Sequence, residues 1–495
     1  MPVVKPPILV QELQRYTLNQ LRFSCHATEE EIIPVIRRLR EHGIIMVSRE
    51  NDEQRDTSEL MEETSEFMDV DTDGDQYYYA FSFVGVVIVS GFVFKVYPKY
   101  IKEADKEKEL RLVLKVLEKY NKGEEVIKLF SDTKESKFTN LLSVLLFFVK
   151  DYYENGSYRN TEVVFESNGQ GEINWDNTIN KSFAIICDNK PFYLEVQTRK
   201  RIDDETDYFK RLHECIISKA SKELETAGLL DLFDLEKADL SDESIEDFGD
   251  KDYILYKINK ELNVQYVSWK QIILKAMSAY IASSGTLSDI NCFSVFGTTC
   301  FEVLWERLCS EVLDNKLRTP LKNLLPQTKL KEDHKNAKLI DIIEKPKWTF
   351  TDKYASKTLI PDIISIEKIN GKQVFAIIDA KYYDPVLEEG KTPSNQPGIE
   401  SVTKQYLYQL AYTDFINKYG FSKDIILNCF IFPSEKEYVE KKGEVVMSMF
   451  NDLKVKPKLN GIHILFVPAS KFYQLYLESK KISINDIFNI CCSQF

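Results

Sequence analysis

The chain has 495 residues, 43% hydrophobic and 12% aromatic, with a formal net charge of −13. That length exceeds one ordinary core and, at about 150 residues per domain, implies two to four. The N-terminus lacks a signal peptide's charged flank and apolar run, and the most apolar stretch, 141–149, falls far short of the ~20 residues a bilayer requires, so a cytoplasmic protein with no membrane span is expected.

The nine cysteines are odd in number, scattered from Cys25 to Cys492 and without a C-x-x-C pair, which excludes a disulfide framework and a zinc ribbon. The adjacent Cys491 and Cys492 read as inert thiols. The negative charge is uneven. Residues 50–75 hold many carboxylates and Arg55 as their one cation, and 235–252 form a second acidic run. Residues 315–357, by contrast, are rich in lysine: Lys316, Lys322, Lys329, Lys331, Lys335, Lys338, Lys345, Lys347 and Lys353. Local fields of this kind, rather than net charge, steer a polyanion.

In chain order, helices are expected over 8–21 and 29–42, the second opened by Thr28 and Glu31 as a capping box and stopped by Gly43. A strand over 44–48 follows, then an acidic loop over 50–76 that cannot bury a core, then a β-hairpin of 77–89 and 92–97 turned at Ser90-Gly91. This order suggests a winged-helix-like module over 1–100. Its Arg37, Arg38 and Arg40 are candidate DNA contacts, with a solvated face or a protein-docking module as the equal alternative. Residues 101–290 read as a mainly helical middle domain, with helices over 104–122, 139–153, 204–227 and 269–282 and strands over 182–186 and 192–197. From 291 to 495 the pattern becomes helix (299–313), strand (359–369), strand (373–382), helix (401–418), strand (424–432), strand (461–467), helix (470–479).

Several motifs fail. The run Asp69 to Gly74 copies the start of a calcium loop, but its twelfth position is Ala80, not glutamate. Gly390-Lys391-Thr392 imitates the end of a phosphate loop, yet Pro385 stands where its first glycine is needed. The five histidines form no H-E-x-x-H and there is no G-x-S-x-G elbow, so zinc and serine hydrolysis are unsupported.

One constellation holds. Two strand-like runs flank Asn370-Gly371, a strong hairpin signal. With a two-residue turn, Ile369 faces Lys372 and Asp362 falls opposite Asp379, their Cβ atoms ~5 Å apart on one sheet face. Lys381 shares that face by the period of two. Two opposed carboxylates repel unless a divalent cation lies between them; hard oxygen ligands suit Mg²⁺, with Mn²⁺ as a substitute. The adjacent lysine can orient a water and offset phosphate charge, which makes a phosphodiesterase centre. An ion pair of Lys381 with one aspartate at a sheet edge is the alternative.

Pro361-Asp362 followed, after the hairpin, by Asp379-Ala380-Lys381 resembles the PD-(D/E)XK nuclease fold. Together with the strings at 301–306, 171–179 and 96–100, the chain resembles the LlaJI family of restriction endonucleases and its McrC-like relatives. The resemblance implies an α/β multidomain protein whose C-terminal core is a mixed sheet flanked by helices, cleaving double-stranded DNA in a restriction, anti-phage system. It implies Glu302 as a helix carboxylate completing the metal site of Asp362 and Asp379, Gln405 as a substrate-positioning residue, and Tyr382 as a residue lining the DNA groove. A McrB-like AAA+ GTPase partner is implied, since this chain carries no nucleotide loop, and a homodimer or larger assembly would supply two cuts. The alternatives are a DNA-binding or scaffold subunit with a vestigial nuclease fold, and an RNA or repair nuclease with the same metal chemistry.

Overall fold

A computed structural model describes residues 4–49, 77–121, 140–203, 207–283, 285–325, 334, 336–369, 372–419, 426–451 and 459–487. The acidic 50–76 loop, the Asn370-Gly371 turn, the Cys491/Cys492 pair and Lys329, Lys331 and Lys335 lie outside them. The protein is mixed α/β, with several sheets and many helices. No described helix is long and apolar enough to cross a membrane.

The chain divides into two compact units, one of residues 1–6 and 125–295, the other of 7–124 and 296–495. This differs from three consecutive segments, because the N-terminal stretch expected as a separate module shares a unit with the C-terminal half. The reason lies in its first element. Residues 8–21, expected as one helix, form the strand Ile8–Gln11, the short strand Arg15–Tyr16 and the helix Leu18–Ser24. Ile8–Gln11 runs parallel to Phe92–Tyr97, with Ile8 opposite Phe94, so a distant partner overrides local helical spacing. The expected capping box is present at Thr28 and Glu31, where the Thr28 N–H donates to the Glu31 carboxylate at 2.9 Å.

The expected strand over 77–89 is two. Tyr77–Phe81 pairs with Ile45–Arg49 and Arg15–Tyr16 in a three-stranded sheet. Val84–Val89 pairs with Phe92–Tyr97 across Ser90-Gly91, whose φ values of 50° and 80° supply the tight turn. The four-stranded sheet runs Ile8–Gln11, Phe92–Tyr97, Val84–Val89, Phe293–Thr298. Its last two strands touch through glycines: a Cβ on Gly85 would lie 2.2 Å from the Phe296 carbonyl, and one on Gly297 would lie 2.2 Å from the Val84 carbonyl.

The principal sheet has five strands in the order Ile363–Ile369, Lys372–Ala380, Ile426–Ser434, Ile462–Pro468, Glu440–Val445. The first pair is antiparallel with Ile369 opposite Lys372, the register expected from a two-residue turn. The two following pairings are parallel and the edge is antiparallel. The central strands are apolar on both faces, as a covered sheet demands. Ile364, Phe375 and Ile377 join Tyr408, Tyr412 and Phe415 of the helix Ile399–Tyr419 in one buried cluster. Elsewhere in the unit, Trp305 of the helix Phe301–Val312 is fully buried against Phe472 and Tyr473.

Glu435, just past the third strand of this sheet, accepts the backbone N–H groups of Lys102, Glu103 and Ala104 at 2.8, 2.9 and 3.0 Å. Partial burial alone would raise its pKa, but the three N–H donors and the Lys102 ammonium outweigh that and hold it below the usual glutamate range. A carboxyl with a depressed folded pKa contributes stability above its unfolded value of about 4.3 and loses it as pH falls through the folded value. The expected result is that parent and Glu435→Gln protein differ in Tm above about pH 5 and converge as the pH falls below 4. Melting curves across that range check it; a constant gap would remove the carboxylate from the explanation.

The other unit holds the helices Leu141–Asn155, Tyr208–Thr226, Lys251–Val264 and Ser268–Ser283. It also holds an antiparallel sheet, Thr161–Ser167, Gln197–Asp203, Glu172–Ile173, and the separate hairpin Ala184–Cys187 with Lys190–Tyr193.

Candidate active site

The first two strands of the principal sheet place the acidic pair. Ile363 faces Ile378, so the register carried one residue further sets Asp362 opposite Asp379. Ile364 has the parity of Asp362, and Phe375 and Ile377 that of Asp379. All three belong to the cluster beneath Tyr408, so the carboxylates continue an apolar face at the end of the strand pair. Asp379 is 5% exposed. Neither Asp362 Oδ2 nor Asp379 Oδ1 has a hydrogen-bond partner of good geometry.

Lys381 follows on the same strand, its N–H held by the Ile431 carbonyl at 2.9 Å, and its Nζ lies 3.1 Å from Asp379 Oδ1. That ion pair is a close approach to an Oδ1 that has no hydrogen-bond partner among the described residues. Burial would lower the lysine's pKa, but the charges of Asp379 and Asp362 outweigh it and raise the value, so the ammonium stays protonated. The Asp362 pKa rises as well, which for a carboxyl favours the neutral form. Burial raises its pKa well above the carboxylate range, and the hydrogen bond with Asp379, the charge of Asp379 and then that of Glu306 add to the rise against Lys381.

A divalent cation fits this donor set in part. Two buried, under-bonded carboxylate oxygens on facing strands offer hard ligands, and waters complete the shell of a metal such as Mg²⁺. Among the described residues, however, no group of three or more His, Cys, Asp or Glu side chains is placed to hold a metal ion. The expected third ligand, Glu302, is not brought to the pair. Its charge acts instead on Glu12 and Glu306.

The helix carboxylate coupled to the pair is Glu306, four residues on and so on the same helix face. Burial raises its pKa, the Lys381 ammonium opposes this, and Asp379 and Glu302 push it further up. Sequence reading gave Glu302 and missed Glu306. Both stand in the string 301–306, and helical spacing alone leaves the choice between them open.

Three other expectations are repositioned. Gln405 is fully buried; its side-chain N–H donates to the carbonyls of Ile377 at 3.1 Å and Cys429 at 3.4 Å. It therefore clasps two strands, the first of them two residues before Asp379, while its Oε1 is buried without a hydrogen-bond partner among the described residues. Tyr382 is 5% exposed and does not line a groove: its hydroxyl donates to the Glu12 carboxylate, its ring lies 4.8 Å from that of Phe301, and Lys99 Nζ sits 4.5 Å from its centroid. Arg37 is exposed on the helix Glu29–Glu41, whereas Arg38 and Arg40 are half-buried, their charges acting on His42 and Tyr79.

Glu12 is the second residue that sequence reading missed. It is buried, accepts the Lys99 N–H at 3.1 Å as well as the Tyr382 hydroxyl, and so ties the N-terminal strand to the residue after Lys381. Burial raises its pKa against Lys99 and Tyr382. An isolated glutamate in a short turn carries no pattern that could have disclosed it.

Sheet and site together define a mixed α/β protein with two carboxylates and a lysine grouped at the end of its principal sheet. The chain belongs to the LlaJI restriction endonuclease family, whose profile matches residues 83–457. It is 27% identical over 422 residues to the Type II restriction enzyme BsuMI component YdjA of Bacillus subtilis (strain 168), covering 82% of this chain and 83% of that protein. Looser likenesses are found to two Thermococcus gammatolerans structures. A chain of the tetradecameric assembly of McrB AAA+ hexamers with bound McrC aligns over 97% of this chain and all of that one, at 13% identity and a TM-score of 0.35. A chain of the McrBC complex aligns over 61% and 85%, at 13% identity and a TM-score of 0.27.

Proposed function

We propose that this protein is a Mg²⁺-dependent endonuclease with a PD-(D/E)XK core that cuts double-stranded DNA in a restriction system. The observation that carries the reading is Asp362, half-buried, opposed to the buried Asp379, with the Lys381 ammonium 3.1 Å from the second of them. Family membership supports it. Asp362 and Asp379 hold the metal, which when bound supplies Lewis-acid polarisation of the phosphate and a more acidic water. Lys381 stays cationic and both orients water and offsets phosphate charge. Glu306 adds negative charge beside this group, and Gln405 fixes the strand ends that present it. A McrB-like AAA+ GTPase is the proposed partner, and two copies of the chain would cut both strands.

The reading is tested by incubating the purified chain with phage and plasmid DNA and Mg²⁺, with and without GTP and the product of a neighbouring ATPase-like gene, beside an Asp379→Ala control. Discrete cutting that disappears in the control supports a restriction nuclease and reveals whether a motor is needed. Absence of cutting in every mixture favours a binding subunit with a vestigial nuclease fold.

A second experiment separates the two helix carboxylates. Glu306→Gln is expected to lower cleavage about 10- to 100-fold, the range for a residue that supports a metal site, with unchanged melting. Glu302→Gln should stay within about threefold of the parent. Steady-state cleavage rates for both decide it, and the reverse order would restore Glu302 to the centre.

A further inference from the structure

Near the end of the lysine-rich run, ahead of Asp362, the chain makes a two-stranded hairpin, Lys347–Trp348 against Lys353–Tyr354. Every residue from 344 to 354 is exposed. Three of them are aromatic: Trp348 is 66% exposed, Phe350 102% and Tyr354 66%. A two-stranded hairpin is marginal by itself in water, and here its rings contribute little buried area to the fold. We propose that this hairpin is a DNA-gripping element of the nuclease, its lysines on phosphates and its rings against sugars and bases of the duplex beside the cut. This rests on the nuclease reading of Asp362 and Asp379.

The register gives the surface its character. Trp348 stands opposite Lys353, and Lys347 opposite Tyr354 with its Nζ 5.8 Å from the ring centroid. Each face thus presents a ring beside an ammonium. Residues 345–357 carry four lysines against one acid, Asp352, which pairs with Lys347 at 2.6 Å, in a chain whose net charge is −13. Aromatic platforms joined to positive charge are the means of holding a nucleic-acid strand. The centres of protein–protein interfaces are enriched in aromatics but depleted of lysine, which sets this surface apart from a protein-docking patch. A two-stranded ribbon also matches the width of the B-DNA major groove.

The hairpin is fixed to the site. At its base the Thr358 hydroxyl donates to the Glu344 carbonyl at 2.6 Å and the Ala355 N–H to the Pro346 carbonyl at 2.8 Å. Beyond it the Tyr408 hydroxyl holds the Ile360 carbonyl at 3.0 Å and Asn315 Nδ2 holds the Asp362 carbonyl at 2.8 Å. From Ala355 to Asp362 the chain reaches at most about 25 Å, the length of about seven base pairs. A duplex with its scissile phosphate at the carboxylates therefore extends past the hairpin.

The test uses the full-length chain and a fluorescent duplex without divalent cation, so that binding is read apart from cutting, over a series of salt concentrations. The double variant Trp348→Ala/Phe350→Ala is expected to bind at least about tenfold more weakly at each salt, with the salt slope unchanged. Lys345→Gln/Lys353→Gln should flatten the slope by about two. Neither should move the Tm appreciably, because these side chains are exposed and bury little. Parental affinity and slope in both variants overturn the proposal, as does a parent that fails to bind duplex at any salt or a loss confined to an RNA probe. Cleavage with Mg²⁺ is scored separately. Normal cutting with intact binding in the hairpin variants removes the hairpin alone, whereas weakened binding by a chain that never cuts removes the nuclease reading and leaves the hairpin's.

Discussion

Asp379→Ala is expected to reduce DNA cleavage by about 10³-fold or more while leaving a folded protein that still binds duplex. Losing a metal ligand removes several kcal/mol of charge stabilisation from phosphodiester hydrolysis, and each 1.4 kcal/mol is about tenfold in rate. The fold should tolerate the change because Asp379 lies at the end of the strand pair and burial favours the neutral form of Asp362 opposite it, so no carboxylate charge is stranded there. Lys381→Ala should lose cleavage to a similar degree, because it takes away a cation whose charge acts on both aspartates. Cleavage rates, circular-dichroism melts and duplex binding for both variants form the test. Loss of the fold in either, or cutting within tenfold of the parent, sinks the assignment.

The second large effect is structural. Gly85→Ala is expected to destabilise the protein by about 3 kcal/mol, lowering Tm by about 5–10 °C. Two causes act together. The φ of +138° is one that L side chains rarely adopt, and the added Cβ would lie 2.2 Å from the Phe296 carbonyl and 2.6 Å from the Gly297 Cα, where only backbone could move aside. Gly297→Ala strikes the same crossing from the other strand, so the double variant should cost less than the sum of the two. Thermal melts of the three proteins test this, and an unchanged Gly85→Ala melt would show that the strands separate without penalty.

The site was legible in the sequence to the extent that its information is local. Asn370-Gly371 predicted the pairing of Ile369 with Lys372, and hence an Asp362–Asp379 pair, because a two-residue turn leaves no freedom of register. Thr28 and Glu31 predicted the start of a helix for the same reason. What could not be read depends on distant partners. Ile8–Gln11 has a helical pattern until Phe92–Tyr97 supplies parallel backbone partners more than eighty residues away. Glu302 and Glu306 differ only in their height on one helix face, which packing decides. Gln405 and Tyr382 have residue types that suit a substrate surface, yet each is buried, and only the fold reveals the backbone carbonyls that take the Gln405 N–H groups and the Glu12 carboxylate that takes the Tyr382 hydroxyl.

The bond between Tyr382 and Glu12 spans 370 positions of sequence, and the strand Ile8–Gln11 belongs to the same unit as residues 296–495. During synthesis the intervening residues 125–295 can fold as a contiguous piece as soon as they emerge, while Glu12, which can already accept the Lys99 N–H, lacks its hydroxyl partner until Tyr382 has been made. The entropy of closing so long a loop falls on the last stage of assembly, and folding of this unit is correspondingly slow. An incomplete polypeptide therefore has neither its carboxylate pair nor the tether behind it. The acidic pair at the end of the principal sheet is therefore assembled only once translation has passed the D-A-K strand, so the order of folding itself withholds the centre from truncated chains.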